Sequence, residues 1–193
     1  MIPGAEPGTT PLDPDETAGL VATHIANRGQ LDEWEASNIL DGERWALSRR
    51  HTDLLDPSFV RELHRQMFGR TWRWAGQYRL TEKNIGVAPT EIATAVQILC
   101  ANVRAQLKFR KPGLDEIAIR FSHRMVSIHP FANGNGRHSR TIADLLLLQQ
   151  GAGRFSWGAS DLDHVGEVRE RYLQALRSAD QGDYGPLLRF ARS

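Results

Sequence analysis

The residues best suited to chemistry lie in one short stretch, residues 129–140, which reads His-Pro-Phe-Ala-Asn-Gly-Asn-Gly-Arg-His-Ser-Arg. Gly134, Asn135 and Gly136 come directly before a predicted helix, and a glycine can adopt positive φ at little cost. Backbone N–H groups that point one way at a helix N-terminus form a nest for anions. The pattern therefore predicts a phosphate-binding site.

Side chains in the same stretch suit phosphate-transfer chemistry. His129 stands at the end of the preceding predicted helix, and an imidazole there is suited to take a proton from an attacking hydroxyl near neutral pH. Arg137 and Arg140 are three residues apart, so both reach past one end of the helix, and two guanidinium groups suit a polyphosphate. Asn133 offers an oxygen to a cation such as Mg²⁺.

Helices must position these residues. Between residues 17 and 49 the pattern predicts two helical pieces that break near residues 27–29, and Asp56-Pro57 then begins a helix. Further helices are predicted over residues 90–109, 115–128, 137–150, 161–179 and 184–191. The helix over 137–150 is apolar nearly all round, which predicts that it lies at the centre of the fold. Residues 78–80 and 85–87 are typical of two short strands around a tight turn.

The stretch 129–140 resembles the signature of Fic-domain proteins, His-x-Phe-x-(Asp/Glu)-Gly-Asn-Gly-Arg-x-x-Arg, at every fixed position except Asn133. Residues 74–79 and then 84–86 are similar to the flap hairpin of that family and its lead-in. The resemblance covers about residues 55–190, and the chain also resembles the Fic subgroup called mobile mystery protein B. It implies a mainly α, Fic-like helical bundle with a short β-hairpin flap.

The resemblance also implies an activity, the transfer of AMP from ATP to a hydroxyl side chain of a target protein. His129 would be the catalytic base, Asn133 would take the place of the acid that holds Mg²⁺ or Mn²⁺, and Arg137 and Arg140 would bind phosphates. Gly134, Asn135 and Gly136 would form the anion hole. The flap would hold the target by strand addition; its residues are Tyr78, Arg79, Leu80, Asn84, Ile85, Gly86 and Val87.

Asn133 leaves three interpretations open, because a neutral amide oxygen binds a hard dication more weakly than a carboxylate does. The enzyme is slow or uses another metal, or it transfers a different phosphate-containing group, or it is a degenerate module that binds nucleotide or protein without catalysis.

A built-in inhibitor is a second hypothesis from the resemblance. Many Fic proteins carry a helix with the pattern (Ser/Thr)-x-x-x-Glu-(Gly/Asn), whose Glu pairs with the second arginine of the signature. Ser37, Asp41 and Gly42 match this pattern with Asp in place of Glu. A carboxylate held on Arg140 would compete with phosphate for the same donors. An ordinary solvated Asp before a glycine is the alternative.

Composition limits the other classes of function. The chain has 193 residues with 24 Lys and Arg against 23 Asp and Glu, a net charge of +1, which argues against a general nucleic-acid binder. Its one cysteine, Cys100, excludes an intrachain disulfide and is expected to be a buried thiol. The sequence contains no apolar run long enough to cross a membrane and no signal peptide, so the predicted location is cytoplasmic.

The predicted organisation is an N-terminal arm over residues 1–16, an N-terminal helical region with the candidate inhibitory helix over 17–54, and a Fic core domain over 55–193. The predicted partners are ATP, a hydroxyl-bearing target protein and, by family analogy, an antitoxin or regulatory protein. Neither a membrane nor a nucleic acid is expected to bind directly.

Overall fold

The computed structural model describes residues 13–22, 25, 27–49, 52–109, 111–159 and 165–193. The mainly α fold is confirmed, and a 3₁₀ turn over Pro89–Glu91 precedes the fourth helix. The helices are α1 (Pro14–Thr17), α2 (Arg28–Leu47), α3 (Pro57–Phe68), α4 (Ile92–Phe109), α5 (Leu114–Ile128), α6 (Asn135–Gln149), α7 (Val165–Asp180) and α8 (Gly185–Arg192). None of the helices in the described ranges combines the length and the apolar character needed to span a membrane.

The helix starts follow from local capping. Asp56 accepts a hydrogen bond from the Ser58 N–H at 2.7 Å, and Pro57 occupies the first turn of α3, as the sequence predicts. Asn27 caps α2 in the same way by accepting from the Gln30 N–H at 3.0 Å. Because short polar side chains satisfy N–H groups that the helix itself leaves open, both starts are fixed by residues next to them in the chain.

The predicted central helix is confirmed. α6 packs against α5, α3 and α2, and Ile142, Ala143, Leu146 and Leu147 are fully buried along it. The expectation for Cys100 is also confirmed, because its thiol lies buried in α4 and burial raises its pKa to about 11. A central helix surrounded by others holds its own N-terminus, and hence the Gly-Asn-Gly run, in a fixed place.

The N-terminal region differs from its prediction. A helix over residues 17–26 is wrong for residues 18–22, which form a turn and a single bridge from Leu20 to Trp72. The helix of this region is α1, earlier in the chain, because Asp13 and Glu16 form a capping box and Pro14 occupies its first turn. Residues 1–12 of the predicted arm, and residues 23, 24 and 26, lie outside the described residues.

The carboxylates of α1 bind the segment predicted as a flap. The Lys83 Nζ donates to Asp13 at 2.9 Å and to Glu16 at 2.6 Å, and its side chain is 3% exposed. The Thr81 hydroxyl donates to Asp13 at 2.8 Å. A buried ammonium is stable only with such partners, so α1 and the flap segment form one packed unit.

The prediction of a β-hairpin is wrong, since the described residues contain no strand and only the isolated bridge between Leu20 and Trp72. Residues 78–87 form a loop whose two ends bind the end of α5 and the start of the signature stretch instead of each other. The Arg79 N–H donates to Pro130 O at 2.9 Å, and the Val87 N–H donates to Ile128 O at 3.3 Å. Because these donors are already used, the two arms do not pair as strands.

Candidate functional site

His129 ends α5 in a left-handed backbone conformation (φ 53°, ψ 60°). This conformation is uncommon for a residue other than glycine, and it turns the chain sharply from α5 into the signature loop. The His129 N–H donates to Met125 O at 3.1 Å, and its carbonyl accepts from the Arg79 Nε at 2.7 Å. The backbone of the candidate base is thus held from both sides.

The imidazole of His129 is neutral at neutral pH. Burial lowers its pKa to about 4, the positive charges of Arg79 and Lys83 act in the same direction, and a hydrogen bond with the Val126 backbone opposes them. A neutral imidazole is the form that accepts a proton. The residue is therefore in the protonation state that a general base requires.

The loop that follows is braced by Asn135, whose side chain is 3% exposed. Its Oδ1 accepts from the Phe131 N–H at 2.9 Å, and its Nδ2 donates to the Phe131 carbonyl at 2.8 Å. Both hydrogen-bonding groups of the amide are used inside the loop. The side chain of Asn135 therefore shapes the loop, which leaves its backbone N–H as the group available to an anion.

His64 of α3, which sequence reasoning missed, supports the same loop. The ring stacks on Phe131 with centroids 3.7 Å apart. The His64 Nδ1 accepts from the Gly76 N–H at 3.0 Å, so its Nε2 carries the proton and donates to Asn133 O at 3.0 Å. Complete burial lowers the pKa of His64 well below its ordinary value. The main chain of Asn133 is thereby fixed by a neutral donor.

The start of α6 has the geometry of an anion nest. Gly134 adopts φ +76° and ψ 1°, and no described side chain caps the helix. The first N–H groups of a helix have no partner within it, and they carry the positive end of its dipole. Phosphate oxygens fit such a site.

Both arginines of the signature lie over aromatic rings. The Arg137 guanidinium lies 5.0 Å from the ring centroid of Phe68, and that of Arg140 lies 5.2 Å from the centroid of Tyr172. A flat ring under a guanidinium favours one orientation of its plane and leaves the in-plane N–H donors for an anion. The structure therefore brings two oriented arginines to the N-terminal half of α6.

The carboxylate of Glu35, on α2, forms an ion pair with the guanidinium of Arg137. The carboxylate accepts from the Arg137 Nη1 at 2.7 Å and from the Trp72 Nε1 at 2.6 Å, and the residue is 4% exposed. Glu35 lies with Leu31 and Asn38 on the buried face of α2, and this face is too mixed in character for the sequence alone to indicate its burial. A carboxylate on a buried face requires a partner.

The residues of the candidate inhibitory motif lie elsewhere on α2. Asp41 pairs with Arg70 at 2.8 Å and with Arg44 at 3.1 Å, and Ser37 is exposed. A methyl group on Gly42 would lie 2.7 Å from the Met67 Cγ, so this glycine lets α2 and α3 pack closely. The acid that α2 places on the signature helix is therefore Glu35, on the first arginine.

The predicted flap residues are brought beside His129, but in different environments. Leu80 is 90% exposed, Ile85 is 47% exposed, and Asn84 is also exposed. Tyr78 and Val87 are half-buried, and Arg79 is 3% exposed. Gly86 adopts φ +112°, and a methyl group there would lie 2.8 Å from the His129 Cβ. The flap therefore passes directly against the candidate base and exposes two apolar side chains.

The chemistry of the donors limits how a metal would bind. Among the described residues, no group of three or more His, Cys, Asp or Glu could hold one. Asn133 offers a single neutral oxygen, and its Oδ1 also accepts from the Gly134 N–H at 2.6 Å. Mg²⁺ is commonly held by one or two protein oxygens together with phosphates and water, so a nucleotide-borne Mg²⁺ fits this site better than a resident ion does.

Residues 54–147 match the model of the Fic/DOC family. The match includes α3, α4, α5, most of α6 and the whole signature stretch, so residues 54–147 form a Fic/DOC family domain. Its fold agrees with a crystal structure of BepC protein from Bartonella tribocorum with bound AMPPNP, with a TM-score of 0.63 and 19% identity over 92% of this chain and 95% of that one.

Curated relatives are named as adenylyltransferases. The chain is 28% identical over 172 residues to a probable protein adenylyltransferase, y4lH, of Sinorhizobium fredii, covering 85% of this chain and 84% of the relative. It is 26% identical over 183 residues to protein adenylyltransferase Fic of Aedes aegypti, covering 91% of this chain. The chain spans only 35% of the length of that second relative.

Proposed function

We propose that this chain is a protein adenylyltransferase, a nucleotidyltransferase that moves AMP from ATP to a hydroxyl side chain of a target protein. One observation carries the proposal. A buried, neutral His129 stands at the entrance to an uncapped helix N-terminus that is flanked by Arg137 and Arg140. The names of the curated relatives support it.

The reaction is an in-line displacement at the α-phosphorus of ATP. The target hydroxyl oxygen forms a bond to that phosphorus, its proton passes to His129, and the bond to the bridging oxygen breaks, so that pyrophosphate leaves. The N–H groups of Asn135 and Gly136 stabilise the charge on the phosphates, whereas the Gly134 N–H is already bound to the Asn133 Oδ1 at 2.6 Å. Arg137 and Arg140 bind the outer phosphates. A protein in such a reaction mostly positions groups and neutralises charge.

Mg²⁺ or Mn²⁺ bound to the ATP phosphates would supply further charge neutralisation, and Asn133 would be its protein ligand. The exposed Leu80 and Ile85 support a flap that holds an extended segment of the target. Four further points stay predictions from the sequence. They are an antitoxin or regulatory partner, a cytoplasmic location, membership of the mobile mystery protein B subgroup and the three-part division of the chain.

ATP labelled at either the α- or the γ-phosphate tests the proposed reaction. Label from the α-position is expected on protein, and label from the γ-position is expected in pyrophosphate. Protein labelled only from the γ-position would favour the alternative of phosphate transfer. Nucleotide binding without any transfer would favour a degenerate binding module, and the neutral oxygen of Asn133 is the observation that keeps both alternatives in view.

Asn133→Asp is expected to raise the rate of AMP transfer in Mg²⁺ roughly tenfold, because a carboxylate adds a full charge of attraction for the metal. Its second readout is calorimetric, since the variant should bind Mg²⁺-loaded ATP more tightly than the wild type. Asn102→Asp on the exposed face of α4 is the matched control for charge alone. Equal or lower transfer with both Mg²⁺ and Mn²⁺ would contradict the interpretation of a slow, metal-limited enzyme.

We also propose that α2 restrains the enzyme, and the contact that supports this is the ion pair between Glu35 and Arg137. A carboxylate on that guanidinium competes with phosphate for the same donors. Glu35→Gln keeps an oxygen for the Trp72 Nε1 and removes the charge. The variant is therefore expected to bind ATP and to transfer AMP about fivefold better, as the loss of a charge-assisted pair of ~1 kcal/mol implies.

Asp41→Asn distinguishes the two candidate acids of α2. It removes the pairs with Arg70 and Arg44 and leaves Glu35 in place. Higher transfer by Asp41→Asn alone would favour the inhibitory motif predicted from the sequence. Unchanged ATP affinity and transfer in both variants would show that α2 does not restrain the enzyme.

A further inference from the structure

Arg79 has an unusual environment for an arginine. Its side chain is buried, and no described carboxylate forms an ion pair with it. Its guanidinium donates instead to three main-chain carbonyls, with Nε to His129 at 2.7 Å, Nη1 to Thr81 at 2.7 Å and Nη2 to Val87. The backbone N–H of Arg79 adds a fourth contact, to Pro130. A buried guanidinium is kept in place when its fixed fork of donors is satisfied in this way.

The three carbonyls join two parts of the site. Thr81 lies on the first arm of the flap, Val87 lies on the second arm, and His129 is the proposed base. The guanidinium therefore holds the arms apart at a fixed spacing and ties both to the backbone of the base. The hydrogen bonds of the guanidinium replace the cross-strand hydrogen bonds of a hairpin. They hold the two arms of the flap beside the site although the arms do not pair as strands.

We propose that Arg79 is a positioning residue that couples the target-binding flap to His129, and so sets where the target hydroxyl lies relative to the imidazole. The inference rests on the proposed function and deepens it. It assigns Arg79 a role different from target contact, since a side chain that is 3% exposed does not offer its guanidinium to a peptide. Near-attack geometry is sensitive to shifts of this kind, because a displacement of 1 Å costs roughly 100-fold in rate.

Lysine is a poor substitute here. Its ammonium carries the same charge, but it has three donors at a single point and does not span carbonyls on three sides. Arg79→Lys is therefore expected to lower kcat for AMP transfer at least roughly tenfold, while the Kd for ATP stays within about a factor of two. Arg73→Lys, on an exposed arginine six residues earlier, is the matched control and should leave both values unchanged.

A pH profile of kcat/KM distinguishes a positioning role of Arg79 from a purely structural one. The positive charges of Arg79 and Lys83 both lower the pKa of His129, and Lys83 is itself paired with Asp13 and Glu16. Removing a positive charge makes it easier to protonate a nearby imidazole. Arg79→Gln should therefore move the acid limb of kcat/KM to higher pH, whereas Arg79→Lys should lower kcat and leave that limb in place.

The decisive comparison is transfer by Arg79→Lys, Arg79→Gln and Gly86→Ala, each with its ATP affinity and melting temperature. The third variant keeps the Arg79 side chain but adds a methyl group 2.5 Å from the Arg79 Nη2 and 2.8 Å from the His129 Cβ, so it disturbs the coupling without removing the guanidinium and serves if the arginine variants do not fold. The coupling predicts a loss of kcat in all three with ATP binding retained. Wild-type kcat in Arg79→Lys or in Gly86→Ala overturns it.

Amide hydrogen exchange keeps this inference separate from the proposed function. If the wild type transfers no AMP, the proposed function fails. The coupling then still predicts that Arg79→Gln accelerates exchange at Val87 and at His129, whose backbone groups the guanidinium helps to fix. Unchanged exchange at both positions would overturn the coupling whatever the activity.

Discussion

Replacing His129 by alanine is expected to abolish measurable AMP transfer while the Kd for ATP changes less than about threefold. General base catalysis contributes roughly 10²- to 10⁴-fold to a rate, and the phosphates are bound by other groups. The low pKa of His129 means that the wild type keeps its base unprotonated down to about pH 4, so the effect should be equally large at pH 6 and at pH 8.

The control for this variant lies on the same helix. His123→Ala also removes a buried imidazole from α5, but that ring binds Asp180 at 2.8 Å, away from the signature loop. It should lower the melting temperature without removing transfer. Transfer by His129→Ala within a few-fold of the wild-type rate would mean that another group accepts the proton.

Gly134→Ala is expected to have the largest effect on the fold of the site. Its backbone is left-handed, which costs an alanine ~1–2 kcal/mol. The new methyl group would also lie 2.7 Å from the Phe68 Cζ, and overpacking of this kind typically adds ~1–3 kcal/mol. The free energy of unfolding measured in urea should therefore fall by about 2–5 kcal/mol.

Nucleotide binding should be lost in the same variant. The Phe68 ring that the methyl group displaces lies beneath the guanidinium of Arg137. A single methyl group thus disturbs both the nest and one of the two arginines. Calorimetry with ATP is expected to show no binding by Gly134→Ala at concentrations that saturate the wild type.

Two other glycines separate the causes of this effect. Gly151 has nearly the same φ, +77°, but an added methyl group meets nothing within 4 Å, so Gly151→Ala should lose only the ~1–2 kcal/mol of backbone strain. Gly136 has neither positive φ nor a close neighbour, and Gly136→Ala should be neutral or slightly stabilising. A loss by Gly134→Ala no larger than that by Gly151→Ala would contradict the importance of the Phe68 contact.

The parts of the fold that could be predicted from the sequence depend on neighbours along the chain. The start of α3 follows from Asp56 and Pro57, and the central place of α6 follows from its apolar residues. The contacts that were not predicted join distant residues. Arg79 and His129 are 50 positions apart, and no local pattern indicates that a guanidinium would replace the hydrogen bonds of a hairpin.

The site shows the same division. Glu35 reaches Arg137 across about a hundred residues, whereas the sequence pattern favoured Asp41 because a motif is defined by positions that are close together in the chain. The buried face of α2 also carries Asn38 and Gly42, so the sequence pattern did not indicate that Glu35 is buried and needs a partner. His64 gave no signal either, because a histidine on the buried face of α3 has the same appearance whether it packs or donates.

The ion pairs between α1 and Lys83 bear on where the working unit of this chain begins. The family match starts at residue 54, yet two carboxylates that neutralise a buried ammonium in the flap come from residues 13 and 16. A fragment trimmed to the family boundary would lack these two partners of the Lys83 ammonium and would hold the loop beside His129 less firmly. The folded unit that positions the candidate site therefore includes a segment that lies outside the family match.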